Sequence, residues 1–142
     1  MKTKWIKPSE IEESWYQVDA EQQILGRLVS QIAFLLLGKN DVRFVPGIDF
    51  RNYVIVTNAQ KVAFTGKKLE QKMYYHHTGY TGHLKTATLA EKMAKNPEDV
   101  MKASVKGMLP SNKLGRNLLK HLKVYASSEH DHQAQKPEIV VF

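Results

Sequence analysis

The chain has 142 residues, enough for one domain that buries roughly two thirds of its unfolded surface, and no cysteine, which excludes disulfides and thiolate metal sites. Its formal charge of +7 is unevenly placed: residues 1–60 set seven basic side chains against seven acidic ones, residues 61–125 set thirteen against four, and residues 126–142 set one against three. No apolar run approaches the ~20 residues that span a bilayer, and the opening MKTKWIKPSEIEESW carries no secretory apolar region, so a cytoplasmic protein is expected.

Residues 1–14 read as an extended arm, with Lys2, Lys4 and Lys7 interleaved with Thr3, Trp5 and Ile6 and with Pro8 stopping any helix. Residues 15–19 read as a first strand. Asp19 and Gln22 then have the spacing of a capping box. Leu25, Leu28, Val29, Ile32, Leu35 and Leu36 recur at helical spacing up to Gly38, a C-terminal cap. Gly26 permits tight helix–sheet packing, and Arg27 stands near helix N–H groups able to hold a phosphate. Residues 39–50 form a turn-rich connection around Pro46 and Gly47, where Asp41, Arg43 and Asp49 are placed for local ion pairs.

The run at 53–57 is continuously apolar, the pattern of a strand buried on both faces of a parallel sheet. Residues 62–65 read as a third strand, cut off by Gly66, and residues 122–125 as a late one. Strands and helices in this succession indicate an α/β domain, with 15–125 as its core and 126–142 as a tail. In that tail, residues 139–142 are apolar and either dock on the body or stay mobile.

Between 66 and 85 the pattern changes. Lys67, Lys68, Lys72 and Lys85 surround Tyr74, Tyr75, His76, His77, Tyr80 and His83, with poor periodicity and glycines at 79 and 82. Cations that neutralise phosphates, mixed with rings that stack on bases, suit an RNA-contacting extension; a solvated hairpin is the plainer reading. Adjacent His76 and His77 point to opposite faces of a strand, so they share no metal. Glu129-His130-Asp131-His132 lies in a polar tail and reads as solvated. No metal or cofactor is expected.

Residues 88–95 read as a helix. Asn96 precedes a second, with Pro97 at its first position, Glu98 and Asp99 in its first turn, and Val100, Met101, Ser104, Val105 and Met108 inward. Lys102 and Lys106, four apart, share a face. Gly107 and Pro110 break the pattern, and Ser111 or Asn112 caps a new helix. There Leu114, Leu118, Leu119 and Leu122 form one stripe, while Lys113, Arg116, Asn117 and Lys120 fall off it, outward. A neutral front joined to this cationic second half suggests one face held against a polyanion. Nucleic acid is favoured over an anionic membrane, because no segment joins a basic face to exposed Trp, Phe and Leu.

Catalytic signatures are missing. Gly66-Lys67-Lys68 lacks the upstream glycine and following Ser/Thr of a phosphate loop, and there is no G-x-G-x-x-G, no G-x-S-x-G and no thiol nucleophile. No enzyme and no small-molecule substrate is expected.

One ordered set of motifs is more specific than composition. It runs W-Y-Q-V-D-A at 15–20, L-G-R-L at 25–28, V-P-G-I-D-F at 45–50, V-I-V-T-N-A at 54–59 and T-G-K-K at 65–68. It ends in V-K-G-M-L-P, L-G-R-N and L-K-V-Y within 105–125. Nearly the whole chain thus resembles the bacterial large-subunit ribosomal protein thirteen family. The resemblance implies a single three-layer α/β/α domain with a four-stranded parallel sheet plus the basic extension. It also implies location in the ribosome, binding to 23S rRNA beside neighbouring large-subunit proteins, and an early role in subunit assembly. Carried onto this chain's motifs, the RNA-binding residues are Arg27, Lys67, Lys68, Lys72, Tyr74, His76, Lys106, Lys113, Arg116, Asn117 and Lys120. The alternative is a small phosphate- or RNA-processing enzyme on a doubly wound sheet.

Overall fold

The computed structural model describes residues 6–142. The arm residues Lys2, Lys4 and Trp5 lie outside the described residues. In chain order the elements are β1 (Ser14–Asp19), α1 (Leu25–Leu36), β2 (Asn52–Thr57), α2 (Lys68–Gln71), β3 (Met73–His77), β4 (Leu84–Thr88), α3 (Leu89–Lys95), α4 (Pro97–Met108), α5 (Lys113–His121), β5 (Leu122–Val124) and β6 (Glu138–Val140). β1 and β2 pair in parallel from Ser14 opposite Asn52 to Asp19 opposite Thr57. β5 joins the far side of β2 and β6 the far side of β1, both parallel, giving the order β5-β2-β1-β6.

This is the α/β class with the four-stranded parallel sheet, but one strand is not the expected one. Residues 62–65 are not a strand of the sheet. Both edges of the β1–β2 pair are taken, by β5 and β6. The segment instead runs beside the loop entering α1: Ala63 N–H donates to Gln23 C=O at 2.9 Å, and Leu25 N–H donates to Ala63 C=O at 3.1 Å. Val62 is buried this way without joining the sheet. The fourth strand comes from the tail, which docks on the body.

The Asp19–Gln22 capping box is also absent. α1 starts three residues after Gln22, with Ile24 before it and no side-chain cap. Asp19 is used elsewhere, accepting from Glu21 N–H at 3.0 Å and Asn58 Nδ2 at 2.9 Å, while Gln22 turns the chain with φ +60°. The box that does form is Thr88–Glu91 at the start of α3, where each side chain accepts the other's backbone N–H.

The core lies between α1, α4, α5 and one face of the sheet. Leu28, Val29, Ile32 and Leu36 of α1 meet Val54 and Val56 of β2, Val100, Met101 and Val105 of α4, and Leu118 of α5, all nearly or fully buried. Each such side chain contributes about 1.5–3 kcal/mol relative to exposure. α1 ends as expected at Gly38, whose φ is +76° and whose N–H donates to Leu35 C=O, while Lys39 N–H donates to Phe34 C=O. A side chain at 38 would also meet the Phe50 ring at 2.6 Å. Phe50, Ile6 and Ile11 make a small second core under the 39–50 connection.

The opposite sheet face carries Trp15 and Tyr53, ring against ring at 4.3 Å. The tail covers it, His132 lying 5.1 Å from Trp15. Residues 66–88 leave this body as α2 and the antiparallel hairpin β3–β4, with Tyr74 opposite Ala87 and His76 opposite Lys85.

Candidate nucleic-acid interface

α5 displays three outward cations, Lys113, Arg116 and Lys120, and its local sequence explains how. The Asn112 side-chain oxygen accepts Gly115 N–H at 2.9 Å, so Asn112 rather than Ser111 is the cap. Gly115 is buried because α5 starts against the preceding turn; a Cβ there would overlap the Pro110 carbonyl oxygen. Leu118 is buried and Leu114 and Leu119 pack against the core, which fixes the rotation of the helix. Lys113, Arg116, Asn117 and Lys120 are exposed on its other side. Lys120 also lies in the last turn, where a cation complements the helix dipole.

Lys106, at the end of α4, borders a small cleft of about 210 Å³ with Pro110, Ser111, Gly115 and Arg116. Lys106 and Arg116, ten residues apart in sequence, thus flank one depression. Like charges four apart, as Lys102 and Lys106 are, destabilise a helix; here Lys102 reaches Glu98 one turn back at 3.5 Å, which eases the repulsion.

A larger cleft, about 600 Å³, opens between the start of α1, the 62–65 segment, α2 and the end of α4. Lys68 of α2 and Lys72 just after it line it, together with Gly26, Gly107 and Met108. Lys68 Nζ donates to Thr65 Oγ1 at 3.1 Å and remains exposed. Gly26 does not serve close helix–sheet packing: a Cβ built on it meets nothing within 4 Å, and the same holds at Gly107. The last turn of α4 joins the two clefts, Lys106 bordering one and Gly107 and Met108 the other.

The remaining expected residues are spread more widely. Arg27 follows Gly26 at the start of α1 and is exposed, as are Lys67, which precedes α2, and His76 on the hairpin. Neither Arg27, Lys67 nor His76 lines either cleft. Tyr74 differs from the others. It is half-buried against the core, Lys92 Nζ sits 4.5 Å from its ring centre and Lys72 Nζ 5.3 Å, and its hydroxyl is buried without a hydrogen-bond partner. Its ring is already occupied by two cations, while Tyr75 and Tyr80 present exposed rings. The position of Lys92 has no signal in the sequence: its proximity to Tyr74 depends on how the hairpin and α3 pack, which no local pattern encodes.

Elsewhere two charges are matched across short distances. Arg43 meets Asp41 at 2.9 Å, which holds that carboxyl below its usual range, and Lys61 meets Glu21 at 2.8 Å. Among the described residues none of Arg27, Lys67, Lys68, Lys72, Lys106, Lys113, Arg116 and Lys120 has a carboxylate within 4 Å. Among the same residues no three His, Asp or Glu side chains converge on a metal position, and no helix is long and apolar enough to cross a membrane.

Residues 13–131 match the family described as Ribosomal protein L13. The chain is similar to the large ribosomal subunit protein uL13 of Thermotoga maritima, 55% identical over 137 residues that cover 96% of this chain and 92% of the relative. The protein of the same name from Agathobacter rectalis is 54% identical over 142 residues, all of both chains. That of Oleidesulfovibrio alaskensis is 53% identical over 138 residues, 97% and 96% respectively.

Proposed function

This chain belongs to the ribosomal protein L13 family, and we propose that it is a structural constituent of the large (50S) ribosomal subunit that binds 23S rRNA and acts early in subunit assembly. The single observation that carries this reading is the set of exposed cations without carboxylate partners, held on elements anchored in the core. Cations so placed are repelled by one another and attracted by phosphates. Fixed by α5 and the end of α4, they pin RNA strands in one arrangement without chemical change, which is the work of a scaffold rather than an enzyme. Neighbouring large-subunit proteins complete its surroundings, in ribosomes of the cytoplasm.

Filter binding of the purified chain to transcribed 23S rRNA across a salt series tests this. Each neutralised phosphate adds about 0.7–0.9 to the slope of log affinity against log salt. Lys113→Ala with Arg116→Ala is expected to weaken binding and to flatten the slope by about 1.5, with the circular dichroism spectrum unchanged. A shallow wild-type slope, or an unaltered double variant, overturns the reading. For the assembly role, depletion in cells is expected to accumulate large-subunit precursors rather than finished subunits lacking only this protein.

A further inference from the structure

The larger cleft has a lining unlike an RNA-backbone groove. Leu25 and Leu89 at its base are buried, Val29 is fully buried, and Phe64 and Met108 add apolar wall. Lys68 and Lys72 are its charged groups, and no carboxylate lines it. Its volume of about 600 Å³ falls in the range that encloses small organic ligands. Gly26 and Gly107 leave bare backbone on its walls, so a flat group can approach closely.

An occupant has to suit both the apolar interior and the two lysines. An apolar side chain of a protein partner fills the interior but leaves two cations facing a drying interface without a counter-charge, a costly arrangement. A nucleotide supplies both parts: an unstacked base has apolar faces that stack on an aromatic ring, here Phe64, and it carries a phosphate on each side. We propose that the cleft receives one unstacked nucleobase of the bound RNA, with Lys68 and Lys72 on its flanking phosphates. The proposal deepens the RNA-binding reading and rests on it.

The glycines allow a test in which folding and binding move in opposite directions. Gly26→Leu and Gly107→Leu place a side chain into open cleft space, and both positions are helical, where glycine is the weaker helix former. Each is expected to keep or raise the denaturant midpoint of the full chain while lowering its affinity for 23S rRNA at least tenfold. Ultraviolet crosslinking of wild-type protein to unmodified 23S rRNA is expected to leave nucleotide adducts within 62–72 or 104–108, absent from both variants. If wild type binds in a salt-dependent way, Lys113→Ala with Arg116→Ala weakens that binding, and the leucine variants bind within twofold of wild type, the cleft proposal is overturned while the RNA reading stands. If wild type ignores 23S rRNA, both fall. Adducts that persist in the variants overturn the proposal. So does a crosslink from the cleft to another protein in assembled subunits in place of a nucleotide.

Discussion

The sheet-centred body and the cationic rim differ in how they hold charge: the body pairs some of its charged groups, while six cations of the rim pair with none among the described residues. In the body, Arg43 reaches Asp41, Lys61 reaches Glu21, and Asp19 is held by Asn58. On the rim, Lys68, Lys72, Lys106, Lys113, Arg116 and Lys120 find no acid within 4 Å among the described residues. An isolated helix with such a surface is weakened by repulsion between its own side chains. α5 therefore depends on its buried stripe to exist at all. The unmatched charge is kept in place by packing beneath it, and an outside anion is what relieves it.

That dependence can be broken from below. Leu118→Ala empties a site only 1% exposed and is expected to cost about 2–5 kcal/mol, read as a fall in denaturant midpoint; a midpoint that barely moved would refute the anchoring. Gly115→Ala forces a methyl against the Pro110 carbonyl. It is expected to cost about 2 kcal/mol, within the range for overpacking, and to disturb RNA binding through the tilt of α5 rather than through lost charge.

Tyr74 sharpens the comparison because it belongs to both regions. Its buried hydroxyl lacks a partner, so Tyr74→Phe is expected to leave stability unchanged or raise it by about 1 kcal/mol. A loss of that size in thermal unfolding would mean that the hydroxyl is satisfied in solution. RNA affinity should hold as well, since Lys92 and Lys72 already lie over the ring.

The smallest effect concerns the body's own charges. The hydrogen bond from Asn58, and secondly the Glu21 N–H, hold the Asp19 carboxyl below its usual range. A lowered carboxyl contributes stability that is fully present above its unfolded value, about 4, and is lost as pH falls through the folded value. Wild type is thus expected to lose a modest advantage over Asp19→Asn between pH 5 and pH 3. A constant difference in midpoint across that range contradicts the assignment.

What could be read from the residues followed how each element is buried. β2 is enclosed on both faces and shows as an unbroken apolar run. α1 and α5 are enclosed on one face and show as stripes. β6 is a three-residue edge strand whose Ile139 is 72% exposed, so its pairing leaves no alternation to find. The 62–65 segment looks like a strand because Val62 needs burial, yet a loop beside α1 supplies it. β3 and β4 hide their pairing because polar and aromatic residues lie on both sides of the hairpin. Individual cations of the interface were legible as residues lying off a leucine stripe. The clefts were not, since Gly26, Phe64, Lys68 and Gly107 meet only through the fold.

The pairing of β6 with β1 has a consequence for synthesis. β1 comprises residues 14–19, and its outer hydrogen-bonding edge is met by residues 138–140. During translation that edge waits, unprotected, until residues 138–140 have also cleared the exit tunnel. A protein of the translation machinery therefore completes this sheet edge long after the strand that needs it is made, and until then the open strand is a place for a chaperone to hold or for nascent neighbours to pair wrongly.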